Sequence, residues 1–190
     1  QKSRKKYERT TNWMDMLTPQ QTIKREVSLE GTGLHTGSPV KLTFLPADAN
    51  TGIWFQRVDL DGKPKLKADV SHVIDTTRGT TIGTSEFKVH TVEHVLAALA
   101  GLEIDNAILQ LNAPEPPAMD GSSLPFVEAL KKAETVEQDS PRDYFIVENT
   151  VTYTDDANGI DIAVFPADEF RITFMVDYEH PVLGKRYSSL

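Results

Sequence analysis

From Thr22 the chain alternates between apolar and polar positions: Ile23, Val27 and Leu29 fall on one parity, Lys24, Glu26 and Ser28 on the other. That is the pattern of a half-buried strand. Val40, Leu42 and Phe44 repeat it after a glycine-rich turn, and Ile53-Trp54-Phe55 follows, closed by Asp61-Gly62-Lys63-Pro64. The opening therefore predicts antiparallel sheet, with shorter strands near 68–74, 80–82, 87–89 and 107–111. Two segments change period. Val92, Val95, Leu96 and Leu99 recur at helical spacing, with Thr91 as N-cap and Gly101 as the terminal glycine. Ser123 caps a second helix, with Pro125 in its first turn and Lys131-Lys132 in its last, where cations suit the helix dipole.

The stretch 134–142 (ETVEQDSPR) is polar, contains a proline and has no period, so it reads as a linker. Strands resume after it near 145–147, 151–153, 160–164 and 172–176. Val40-Lys41-Leu42-Thr43-Phe44-Leu45-Pro46-Ala47-Asp48 is echoed by Ile162-Ala163-Val164-Phe165-Pro166-Ala167-Asp168, a strand running into Pro-Ala-Asp in both. With the shared strand-and-turn order, the echo suggests two copies of one unit. The expected fold is α+β: a two-layer sheet-and-helix domain over 17–136, a linker at 137–142, and the beginning of a second domain of like topology over 143–190. Residues 1–16 form a basic extension. A second copy of equal size would run past Leu190, so the chain is expected to be part of a longer polypeptide.

Composition removes several classes of chemistry. The 190 residues hold no cysteine, which excludes disulfides, thiolate metal sites and thiol nucleophiles. A net charge of −8 argues against a nucleic-acid partner. The charge is uneven, since residues 1–9 carry five cations against one glutamate. Such an arm supports at most a peripheral membrane contact, worth at most about 1 kcal/mol per cation. The longest apolar run, 95–102, falls well short of the roughly 20 residues a bilayer needs. No apolar stretch follows the basic start as in a signal peptide, and a cytoplasmic location is expected.

Histidine is scarce, with five in the chain. His90-Thr91-Val92-Glu93-His94 has the H-x-x-E-H form of inverted zinc peptidases. On a helical projection His94 falls at about 200° from Val92, on the side of Ala97, Ala98 and Gly101, so the helix is expected to be covered on both faces. A lone helix histidine is more often a core residue bonded to a carbonyl, but the adjacent Glu93 changes the balance. One of the two neighbours can ligate a metal while the other accepts a proton. The loop Glu30-Gly31-Thr32-Gly33-Leu34-His35-Thr36-Gly37 fails as a dinucleotide fingerprint, because its spacing is wrong and a strand follows it. It is either a tight turn or a loop that brings His35 to a ligand. The segment 112–122 reads as a rigid crossing that starts the second helix.

Gly31-Thr32-Gly33-Leu34-His35-Thr36-Gly37, Thr91-Val92-Glu93-His94 leading into Ala97-Ala98-Leu99-Ala100-Gly101-Leu102, Ile104-Asp105-Asn106, Asn112-Ala113-Pro114-Glu115 and Met119-Asp120-Gly121-Ser122 together resemble the UDP-3-O-acyl-N-acetylglucosamine deacetylases. These are zinc enzymes of bacterial lipid A synthesis. The resemblance covers roughly residues 20–190 and implies two α+β domains with the active site between them. It implies that His94 is a zinc ligand, that Glu93 is the general base, and that His35, Thr76 and Thr77 bind substrate, a UDP-linked acylated amino sugar. His90 matches no ligand of the family. The further ligands, a His and an Asp on a second-domain helix, and a late catalytic histidine have no counterpart here; they are expected in the C-terminal remainder of the polypeptide, and this chain alone is expected to be inactive. The alternatives are an inverted zinc peptidase using His90 and His94, and a non-catalytic binding module.

Overall fold

The structure is a computed structural model describing residues 18–178 and 180–189. The expected basic extension, 1–16, lies outside the described residues. The chain divides into two units at Arg142/Asp143.

The first unit is built on strict side-chain alternation. In β3 (Pro39–Pro46) Val40, Leu42 and Phe44 are buried, and in β9 (Ala107–Leu111) Ala107, Leu109 and Leu111 are. These strands form the centre of a five-stranded sheet, completed by β2 (Val27–Thr32), β4 (Ile53–Arg57) and β5 (Lys65–Lys67), in the order β2-β3-β9-β4-β5. All neighbours are antiparallel except β9 and β4, which run parallel. The buried side chains form one core with those of two helices, α1 (Glu93–Gly101) and α2 (Leu124–Ala133). Val95, Ala98 and Leu99 are buried on α1, and Phe126 and Leu130 on α2. Each fully buried Leu or Phe contributes about 1.5–3 kcal/mol through removal from water. The α+β class is as the sequence implies. A small sheet of β6 (Val73–Asp75), β7 (Thr81–Gly83) and β8 (Lys88–Val89) carries the loop that enters the site.

Three local expectations change. The alternation after Thr22 is two strands, β1 (Pro19–Ile23) and β2, with a bend at Lys24-Arg25 between them. The stretch 137–142 is not a free linker: β10 (Thr135–Pro141) pairs antiparallel with β1, Ile23 opposite Thr135 and Pro19 opposite Pro141. Its polarity follows from its position in an exposed two-stranded ribbon, where buried side chains come from β1 (Gln20, Thr22, Ile23). The small-residue side of α1 is covered only at Ala98, because Ala97, Ala100 and Gly101 are exposed.

The Ile104-Asp105-Asn106 motif holds this closure. Buried Asn106 donates to Gln20 Oε1 (2.8 Å) and Gln138 Oε1 (2.7 Å) and accepts from the Gly52 N–H (2.7 Å). Asp105 takes Arg142 Nε and Nη2 at 2.8 and 2.9 Å and the Gln21 N–H at 2.7 Å.

The second unit holds two hairpins, β11 (Val151–Asp155) with β12 (Ile160–Val164) and β13 (Thr173–Asp177) with β14 (Lys185–Ser189). Phe145, read as part of a strand, lies outside any strand. The hairpins repeat the order of the first unit, where β2 pairs with β3 and β4 with β5. There β9 joins the two pairs.

Candidate functional site

Helix α1 starts one residue later than its apolar period suggests. Thr91 does not cap it: its φ is +52°, Val92 occupies the N-cap position, and the Thr91 hydroxyl donates instead to Glu115 Oε1 at 2.7 Å. His90 therefore precedes the helix, and the H-x-x-E-H string does not stack two imidazoles one turn apart. The His90 N–H donates to the Pro114 carbonyl at 2.9 Å, and its Nδ1 lies 3.1 Å from Thr81 Oγ1. Burial, with the Lys88 charge, holds the His90 imidazole below its ordinary pKa, against the opposite pull of Glu115.

Glu93 and His94 open the first turn of α1 and face different surroundings. Glu93 Oε2 accepts the Thr80 N–H at 3.0 Å, while the Thr80 carbonyl accepts the Val92 N–H at 3.2 Å. A Cβ at residue 79 would lie 3.2 Å from Glu93 Oε1, so Gly79 lets the carboxylate sit against the loop backbone. The half-buried His94 lines a narrow cleft with Leu34, Pro116, Pro117, Ala118 and Phe126.

A second, more open cleft of about 170 Å³ is polar, lined by His35, Thr36, Asp75, Thr77, Arg78, His90 and Thr91 among others. Thr91 borders both clefts. His35 and Thr77 are thus brought to one cleft and His94 to the next. Thr76, exposed on the same loop, is not among the lining residues. Thr77 is held by its N–H donating to Asp75 Oδ1 at 2.9 Å.

The residue that sequence reasoning missed is Glu115, fully buried beneath these clefts. Its Oε2 accepts the His35 N–H (3.0 Å), the Thr36 N–H (2.9 Å) and the Thr36 hydroxyl (3.0 Å). Burial opposes its ionisation, yet the Thr91 hydroxyl and the Thr36 and His35 donors outweigh that and hold the carboxyl below its usual range. The available signal was a glutamate set between prolines, Pro114-Glu115-Pro116-Pro117.

Among the described residues no group of three or more His, Asp or Glu side chains is arranged to hold a metal ion. The donor chemistry fits zinc only in part: His94 offers one imidazole, and its cleft supplies no second donor. No helix among the described residues is long and apolar enough to cross a membrane.

Residues 20–190 match the protein family described as LpxC, UDP-3-O-acyl N-acetylglycosamine deacetylase. The chain is 50% identical over 175 residues, 92% of its length, to a bifunctional enzyme LpxC/FabZ from Chlorobaculum tepidum, of which it covers 38%. It is 44% identical over 168 residues to a UDP-3-O-acyl-N-acetylglucosamine deacetylase from Alcanivorax borkumensis, and 42% identical over 168 residues to one from Cellvibrio japonicus. In both cases 88% of this chain aligns with 54% of the relative. The chain thus spans about half, or less, of the length of the curated relatives it matches.

Proposed function

This chain belongs to the LpxC deacetylase family, and on that premise we propose that the protein it forms part of removes the N-acetyl group from a UDP-3-O-acyl-N-acetylglucosamine in lipid A synthesis, in the cytoplasm and with zinc. The observation that carries the reading is the divergence of Glu93 and His94: adjacent residues, one carboxylate held at the Thr80 backbone and one imidazole in a separate cleft. A base and a ligand need that separation, because a carboxylate on the metal could not also take up a proton.

His94 is the ligand this chain would contribute. Bound zinc would supply Lewis-acid polarisation of the acetamide carbonyl. Glu93 takes a proton from the attacking water, with the Thr80 N–H fixing which oxygen is free to do so, and a histidine outside this chain stabilises the oxyanion and protonates the leaving amine. His35 and Thr77 line the polar cleft and contact the substrate there; Thr76, exposed on the same loop, is assigned with Thr77 to the segment beside the acyl chain. The remaining metal ligands and an oxyanion-stabilising histidine belong to a part of the polypeptide outside these 190 residues, so this chain alone binds zinc weakly and does not turn over. The length of the relatives supports this division.

The test is acetate release from UDP-3-O-acyl-N-acetylglucosamine by the complete polypeptide, with zinc content measured before and after chelation. Chelator-sensitive release with one zinc per chain is expected. Release that survives complete zinc removal sinks the reading, as does a chain that cleaves a peptide substrate but not the acetamide. Neither activity leaves a binding module.

A further inference from the structure

We propose that Glu115 is a positioning residue of this site: a buried carboxylate that fastens the loop carrying His35 to the turn from which Glu93 and His94 depart. The fastening is independent of the reaction; only its effect on turnover rests on the deacetylase reading.

Glu115 is 0% exposed, and its hydrogen-bond partners are neutral donors from two separate segments. A carboxylate removed from water is costly unless donors replace its hydration. A residue needed only to start α2 would not require that charge. The contacts at the start of α2 run instead from Asp120 through Ser122 to the Leu124 N–H, and Glu115 has no part in them.

Its two oxygens divide the work. Oε2 takes both Thr36 donors and, at 3.0 Å, the His35 N–H, which also reaches Oε1 at 3.2 Å, and Oε1 takes the Thr91 hydroxyl. The approach of the loop requires a glycine, since a Cβ at Gly33 would lie 2.6 Å from Oε2. On the other side, Thr91 is a β-branched residue at φ +52°, a backbone state that such residues avoid unless their surroundings impose it. The short bond to Oε1 holds it there, two residues before Glu93. Because Thr91 borders both clefts while His35 lines one and His94 the other, this carboxylate sets the spacing between the two histidines.

The test compares Glu115→Gln, Thr91→Val and Thr91→Ser in the polypeptide as the cell makes it, by amide hydrogen exchange and by kcat and KM taken separately. Glu115→Gln is expected to speed exchange of the His35 and Thr36 amides at least about tenfold more than that of the β3 and β9 amides. It should lower kcat by on the order of 10²-fold, the scale of a small misplacement, with KM nearly constant. Thr91→Val should reproduce the loss of kcat, and Thr91→Ser, which keeps the hydroxyl, should restore it. Exchange needs no turnover, so it judges the fastening even if the deacetylase reading fails. Unchanged exchange at His35 and Thr36 overturns the proposal. Equal acceleration throughout the core also overturns it, because that marks a residue that merely holds up the fold. Equal kcat losses for Thr91→Val and Thr91→Ser would break the link through Thr91.

Discussion

The Thr80 N–H donates to Glu93 Oε2 across 3.0 Å, while His94, the next residue, turns into a cleft bounded by Leu34 and Pro116. Successive helix residues point about 100° apart, so the two side chains do not share surroundings. A change at one can therefore be read without disturbing the other.

Glu93→Gln keeps an acceptor for Thr80 but removes the base. In the complete enzyme it should lower kcat by about 10²- to 10⁴-fold with zinc content near that of the wild type. His94→Ala should lose metal first, and rate with it. Metal analysis alongside steady-state kinetics decides; loss of zinc on Glu93→Gln would make the glutamate a ligand.

His90 stands before α1, bonded to Pro114 and Thr81. A His90→Ala enzyme should keep its zinc and its kcat within a few-fold. An inverted peptidase would lose both, so one variant assayed for metal separates the two chemistries.

Asp105 receives three donors, two from Arg142 and one from Gln21. Asp105→Ala should destabilise the first unit by about 1.5–3 kcal/mol, the usual worth of hydrogen bonds to a charged group. Urea unfolding should show a lower midpoint at unchanged slope.

Glu115 carries a pH signature. Its folded carboxyl lies below the ordinary 4.5, so between the folded value and 4.5 the unfolded chain binds more protons. The stabilisation is complete above 4.5 and is lost as pH falls through the folded value. Thermal unfolding measured downward from pH 5 should therefore fall less steeply for Glu115→Gln than for the wild type.

Strands whose two faces differ were legible in the sequence. β3, β9 and β12 stand where alternation places them, because each buries or groups one parity of side chains. β10 escaped because none of its side chains is fully buried and those that turn inward, such as Gln138, are polar. β5 escaped because only Leu66 in it is buried. The bend at Lys24-Arg25 was hidden by a parity that happens to continue across it. At the site, a motif pointed to Glu93 and His94, but the start of α1 was misplaced, because the hydroxyl that looked like a cap is spent on a residue distant in sequence. Glu115 was missed for the same reason: burial of a charge is a property of what surrounds it, and no periodicity announces it.

The ribbon of β1 and β10 also fixes an order of events during synthesis. Pro19 and Pro141 face each other at its end, so β1 waits for β10, made more than a hundred residues later. The central sheet can collapse while the ribosome is still adding residues, and β1 can bridge to Asn106, but its ladder with β10 is not complete until Pro141 has left the exit tunnel. A ribosome stalled before that point would hold the central sheet with the β10-facing edge of β1 open to whichever strand or chaperone arrives first. Pairing over so long a span is also slow to close, which lengthens the interval of exposure.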